Sequence, residues 1–268
     1  MGDEGRPVSI PRPATAAGRF YPDDPVSLVA FVDEYLASAQ AVDCPPPKAL
    51  IVPHAGFLYS GAVAGSGYSC LHGRTITRVV MFGPAHRWPV SGLALPACDS
   101  FVTPLGTVPI DTEAVEQALL LEAVEVVGSA HTQEHAIEVQ LPFLQQRLPE
   151  GFHLVPFVVG RATPQQVEEV MDELWGGEET LLVISSDLSH FHEYDMARQL
   201  DAATSAAIEA LAPEDVHESA ACGRVSIQAI LAIAARRGLT ARTVDQRNSG
   251  DTAGGRTEVV GYGAYVIG

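Results

Sequence analysis

Lysine is almost missing from this sequence. Lys plus Arg total 16, and Lys48 is the only lysine, which leaves fifteen arginines. Lys48 also opens an apolar run that reads as a strand, so lysine-based catalysis is disfavoured. No basic block occurs anywhere. Asp plus Glu total 33, giving a formal net charge of −17. Sequence-independent nucleic-acid binding needs a positive surface, and so does attachment to anionic lipid, so neither partner is expected. No uncharged apolar stretch approaches the ~18–20 residues of a membrane-crossing helix. The opening segment, MGDEGRPVSIPRPAT, lacks the apolar block of a signal peptide. The expectation is a cytoplasmic protein. Cysteine is scarce as well: Cys44, Cys70, Cys98 and Cys222 form no C-x-x-C pair. Four reduced, mostly buried thiols are expected, with no disulfide framework.

What is present describes a folded chain. Of 268 residues, 47% are hydrophobic and 18% charged, which argues for a real core and against disorder. Apolar runs bounded by turn residues read as buried strands at Ala49–Pro53, Arg78–Pro84, His153–Gly160 and Thr180–Ser186. The segment from Glu258 to Ile267 reads as one more. Helical spacing appears over Ser27–Ala39, through Leu28, Phe31, Val32, Tyr35 and Leu36. Further helices are expected over Asp111–Leu121, Thr163–Leu174, Asp195–Leu211 and Arg224–Arg237, the last ended by Gly238. Strands alternating with helices predict an α/β protein, a central largely parallel or mixed sheet layered by helices. No linker or repeat divides it, so residues 1–268 are read as a single domain.

In open α/β sheets, ligands gather in the crevice beyond the strand C-termini. Three histidines fall there: His54 after the first strand, His86 after the second, and His190 in Asp187-Leu188-Ser189-His190 after the fourth. One such histidine is ordinarily a hydrogen-bonded loop residue. Three at equivalent positions point to a shared site. Cys222 precedes Gly223 and the helix beginning near Arg224. A helix N-terminus and a neighbouring arginine favour the thiolate, whereas packing of the helix start by a small residue is the competing explanation. Two imidazoles and a thiolate suit a borderline or soft transition metal such as Fe(II), Cu or Zn. Asp187 and His190 could form a carboxylate–imidazole acid–base pair. The string His131-Thr132-Gln133-Glu134-His135 also matches H-x-x-E-H, the signature of inverted zinc peptidases. That chemistry requires both histidines on one uninterrupted helix. Gly128-Ser129-Ala130 before it, Thr132 as an expected N-cap and Pro142 after it argue against one. His135 and Glu138 are expected to face the crevice from the first turn of the following helix, and Phe57 and Tyr59 either to line it or to serve packing.

Several short segments together resemble the Memo family, whose prokaryotic members are often called AmmeMemoRadiSam system protein B. They are Ala17-Gly18-Arg19-Phe20-Tyr21-Pro22, Pro53-His54-Ala55-Gly56-Phe57-Leu58-Tyr59-Ser60-Gly61 and Phe82-Gly83-Pro84-Ala85-His86. Others are Glu134-His135-Ala136-Ile137-Glu138-Val139-Gln140-Leu141-Pro142-Phe143-Leu144, Ser185-Ser186-Asp187-Leu188-Ser189-His190 and Cys222-Gly223-Arg224. Asn248-Ser249-Gly250-Asp251-Thr252 and Val259-Val260-Gly261-Tyr262-Gly263 complete the set. The resemblance implies a fold similar to LigB-type class III extradiol dioxygenases, which bind non-haem iron. It implies a metal site of two histidines and a cysteine, falling on His54, His86 and Cys222, with His190 as the acid–base histidine. The dioxygenases use a carboxylate where this chain has Cys222, so ring cleavage does not carry over directly. Three functions follow as alternatives. One is metal-dependent redox chemistry on a small molecule. The second is a non-enzymatic module binding a peptide or partner in the crevice. The third is zinc-dependent hydrolysis. The resemblance also implies radical-SAM and AMMECR-type partner proteins.

Overall fold

The structure is a computed structural model that describes residues 10–39, 44, 46–148 and 151–268. The opening nine residues, part of the segment inspected for a signal peptide, lie outside the described residues. In chain order the strands are β1 (Pro11–Arg12), β2 (Ala49–Val52), β3 (Arg78–Pro84), β4 (Leu93–Leu95), β5 (Ser100–Thr103) and β6 (Gly106–Pro109). They continue as β7 (Val124–Val126), β8 (His153–Val159), β9 (Thr180–Ser185), β10 (His190–His192), β11 (Ala241–Asn248) and β12 (Val259–Ile267). The helices are α1 (Pro25–Ser38), α2 (Phe57–Ser69), α3 (Thr112–Ala118), α4 (Gly128–Thr132), α5 (Leu141–Arg147), α6 (Pro164–Glu173), α7 (Tyr194–Glu209) and α8 (Arg224–Arg237).

Among the described residues, nine strands form one mixed sheet in the order β10-β12-β2-β9-β3-β8-β4-β7, with β11 paired to β12. Its centre, β2-β9-β3-β8, is parallel. The flanks mix direction: β12 runs antiparallel to β2, and β4 antiparallel to β8. The continuous apolar runs read from the sequence are these four central strands. Each sends alternate side chains to opposite faces, as the two-residue period of a strand requires. Leu50, Val79, Met81, Leu154, Leu181 and Val183 join the layer that contains Leu28 and Val32 of α1, Tyr68 of α2 and Phe143 of α5. Ile51, Val80, Phe82, Val155, Phe157 and Ile184 join the layer that contains Val167 of α6 and Ile227, Ile230 and Leu231 of α8. The result is an α/β architecture with helices on both faces. No helix among the described residues is long and apolar enough to cross a membrane.

Local signals explain most boundaries. Asp24 caps α1 by accepting from the Ser27 N–H at 2.8 Å, with Pro25 in the first turn. Thr163 and Gln166 form a capping box ahead of α6. Gly238 ends α8 in the left-handed region at φ 68°. One element was not expected from the sequence and one expectation fails. The glycine-bearing stretch from Phe57 to Ser69 is the helix α2. Its glycines serve close packing: a Cβ on Gly65 would lie 2.7 Å from the Tyr35 carbonyl oxygen of α1. Cys44 and Cys70 are paired as a disulfide, Cα–Cα 5.9 Å, which corrects the expectation of four free thiols. Cys98 and Cys222 remain free.

Candidate metal centre

The parallel centre of the sheet places the site. β2, β9 and β3 lie side by side and end at one edge. The chain leaving β2 carries His54, the chain leaving β3 carries His86, and the chain leaving β9 between them carries Asp187. Cys222 enters from the loop before α8. Its own N–H donates to the Asp187 carbonyl at 3.2 Å, and the next amide, Gly223 N–H, donates to Ser186 Oγ at 2.8 Å. Glycine is required here, since a Cβ would sit 2.7 Å from Ser186 Cβ. The donor atoms of His54, His86 and Cys222 all lie within 4.8 Å of one another, and His54 Nε2 is 3.3 Å from Cys222 Sγ.

The hydrogen bonds fix which nitrogen each imidazole presents. Ser185 has one O–H, and it donates to the Ala136 carbonyl at 2.6 Å. Ser185 Oγ must therefore accept from its other two neighbours, Gln140 Nε2 at 2.8 Å and His54 Nδ1 at 2.9 Å. His54 thus carries its proton on Nδ1 and turns the Nε2 lone pair toward Cys222. The same logic applies to His86. Its Nδ1 lies 2.9 Å from Glu134 Oε1, an ionised acceptor, so Nδ1–H donates and Nε2 is left free. Gln140 is held in turn by the Pro53 carbonyl and the Tyr68 hydroxyl, both at 2.9 Å. Outer groups that orient ligating histidines in this way are characteristic of metal sites. The residues present therefore fit a transition-metal ion: two imidazoles that turn Nε2 inward and one sulfur around a common point.

Electrostatics agree in part with the sequence reading. Burial, reinforced by His86, lowers the His54 pKa to about 3. His135 is lowered to about 4 by burial and then by His54. For Glu134, burial acts upward, but hydrogen bonding and charge from His86, with backbone amides, bring it down to about 2. Cys222 corrects an expectation. Burial, followed by the Asp187 carboxylate, pushes its thiol up to about 12. Arg224 does not offset this, because its guanidinium turns to Gln228 Oε1 at 3.2 Å. The thiol S–H donates to His54 Nε2, and a metal would displace that proton.

Asp187 is buried, accepts the His54 N–H at 2.8 Å, and is raised by burial. His190 is not in the ligand group. It begins the short strand β10, opposite Val260, and is half-buried. His135 stacks on Phe20 at 4.3 Å and on His86 at 4.8 Å between ring centroids. Tyr59 lies on the exposed side of α2, 39% accessible, and Phe57 is buried in the core. Glu138 departs from expectation. Its carboxylate is fully buried and accepts from Arg12 Nη1 at 2.6 Å, Tyr21 OH at 2.6 Å, Ala16 N at 2.8 Å and Thr15 N at 3.0 Å. It fastens the segment before α1 and does not open on the crevice. The H-x-x-E-H string is not a zinc helix. His131 sits in the last turn of α4 and its Nε2–H donates to the Ala94 carbonyl at 2.8 Å, while Thr132 ends that helix and caps nothing. A second potential ligand group, His86, Glu134 and His135, shares His86 with the first. Sequence reasoning missed Ser185, Gln140 and the orienting role of Glu134. Their only signal was the presence of polar residues inside otherwise apolar strand and helix segments.

A mixed α/β sheet whose crevice gathers imidazoles and a thiol defines the class. Residues 12–266 match the Memo-like protein family, and the chain belongs to that family. It is 34% identical over 264 residues to a "MEMO1 family protein" of Aquifex aeolicus, covering 94% of this chain and 97% of that one. It is also 34% identical over 269 residues to one from Archaeoglobus fulgidus, covering 94% and 97%. A relative in Methanosarcina barkeri is 32% identical over 268 residues, covering 96% and 99%.

Proposed function

We infer that this Memo-family protein binds one transition-metal ion through His54 Nε2, His86 Nε2 and Cys222 Sγ, and that the site serves redox chemistry on a small molecule. The observation that carries the reading is the convergence of three donor atoms within 4.8 Å from three separate segments. Three protein ligands leave an ion with open positions, as in catalytic centres. A thiolate beside two imidazoles favours iron or copper over harder cations. When bound, such an ion supplies electron exchange with a molecule at its open positions.

The chain's own groups do the rest. Ser185 and Glu134 hold the imidazoles in their ligating tautomers. Asp187, raised by burial, accepts the His54 backbone N–H and is the carboxyl beside the ligands, and His190 stands on β10 as the acid–base candidate of the same loop. Zinc hydrolysis would use the same three ligands with a metal-bound water, and it is the alternative that elemental analysis separates. The test is anaerobic purification with elemental analysis, together with oxygen uptake on a catechol panel. Iron or copper near one equivalent is expected, lost in His54→Ala and Cys222→Ala. Zinc alone, or metal retained by both variants, would overturn it.

A further inference from the structure

A second cavity adjoins the candidate metal centre. It measures about 220 Å³ and is bounded by Thr15, Arg19, Phe20, Arg87, Gln133 and His135. That is below the roughly 300 Å³ at which pockets for drug-sized ligands begin, so it suits one head group of a molecule. Its position is set by rings. Phe20 stacks on His135 at 4.3 Å, and His135 stacks on His86 at 4.8 Å. One imidazole therefore separates the cavity from a metal-ligand candidate.

Its charge is unlike that of the molecule. The protein carries a net −17, with 33 acidic residues, yet no Asp or Glu lines this cavity. The carboxylates hydrogen-bonded to its lining, Glu134 and Glu138, are buried and saturated by His86, Arg12, Tyr21 and backbone amides. Arg19 and Arg87 are both exposed, and among the described residues neither guanidinium has a hydrogen bond or ion pair. Elsewhere, Arg12, Arg78, Arg236, Arg237 and Arg247 are all paired with carboxylates. Guanidinium forks match carboxylates in geometry and charge. Thr15 and Gln133 add neutral hydrogen-bonding groups, and Phe20 and His135 add flat ring faces.

We propose that this cavity is an organic-acid subsite. Arg19 and Arg87 grip the carboxylate of a small aromatic or unsaturated acid, and the ring stack of Phe20 and His135 directs its remainder toward His54, His86 and Cys222. The proposal rests on the metal-centre reading for what happens to that remainder, but the anion site itself is independent of the ion. Its substrate class follows: the molecule processed is acidic, although the protein is strongly acidic too.

The test is calorimetric titration of the full chain, metal-free, with benzoate and with its neutral isostere benzamide. Benzoate is expected to bind at least tenfold more tightly than benzamide. Arg19→Gln with Arg87→Gln should abolish that preference while the far-UV spectrum stays unchanged. Cys222→Ala should keep it. Equal binding of the two probes, no binding of benzoate, or an unaltered preference in the double arginine variant would overturn the proposal. If the double variant fails to fold, the benzoate–benzamide comparison on the intact protein decides alone. Metal retained by Cys222→Ala would sink the metal reading and leave the acid subsite standing.

Discussion

Cys222 Sγ lies 3.3 Å from His54 Nε2 across 168 residues of sequence. Ser185 forces the His54 proton onto Nδ1, so the thiol donates to Nε2 in the metal-free protein. The contact is a proton-filled form of the ligand pair. Metal uptake should release a proton from Cys222, and apparent affinity should rise with pH. Competition titrations at pH 6 and pH 8 check this; equal affinity at both would count against Cys222 as a ligand.

Glu134 holds His86 at Nδ1 and its own amide, at 2.9 and 2.8 Å. Glu134→Gln keeps the shape but weakens the acceptor. Metal affinity should fall by about 10–100-fold, as for other outer partners of ligating histidines. A chelator competition series measures it. Unchanged affinity would show that His86 needs no such support.

Two buried histidines and one partly buried one make the metal-free fold sensitive to acid. His54 is held at about 3, His131 and His135 at about 4, each chiefly by burial. In the unfolded chain they titrate near the ordinary 6.5. Between those values the unfolded state binds more protons, so stability falls as pH drops from 6.5 toward 4. The slope is up to about 1.4 kcal/mol per pH unit for each proton. Glu134, held at about 2, extends the loss below pH 4.5. Urea midpoints of metal-free protein at pH 7 and pH 5 test the sign. His131→Gln should flatten the profile; a midpoint that rises on acidification would contradict it.

Arg12 and Glu138 are 5% and 0% exposed and 2.6 Å apart. Removing one partner leaves a buried charge alone, at a cost of about 3–5 kcal/mol. Arg12→Met should therefore destabilise the fold by that order in denaturant melts, and the segment carrying Phe20 should become open to proteolysis. Arg12→Met with Glu138→Leu should recover part of the loss. No change in either variant would mean that the pair does not anchor the segment.

Gly223→Ala would force a Cβ to within 2.7 Å of Ser186 Cβ. The expected cost is about 1–3 kcal/mol, as for overpacked interiors. Metal retention should fall with it, because the adjacent Cys222 must move. Melting and metal content in one preparation check both; a stable variant with full metal would place Cys222 outside the site.

The central strands were legible because β2, β3, β8 and β9 are buried on both faces and read as unbroken apolar runs. α2 was hidden because Gly61, Gly65 and Gly67 weaken helical propensity, and only the approach of Tyr35 to the first two and of Val52 to the third explains them. β11, ARTVDQRN, was hidden because its half-buried residues carry little apolar signal. His54, His86 and Cys222 could be named from their places after strands and before a helix. Ser185, Gln140 and Glu134 could not be assigned partners, because their hydrogen bonds join segments up to 131 residues apart. The cysteine pair shows the same limit: 26 residues separate Cys44 from Cys70, and nothing local marks them as neighbours.

β12 threads between β10 and β2, and it follows every ligand residue in the chain. On a ribosome, the histidines and Cys222 emerge before the strand that sets β10 against the rest of the sheet. Until residues 259–267 are in place, the sheet edge around the crevice is unfinished. The strand that seats His190 is thus synthesised after all three candidate ligands.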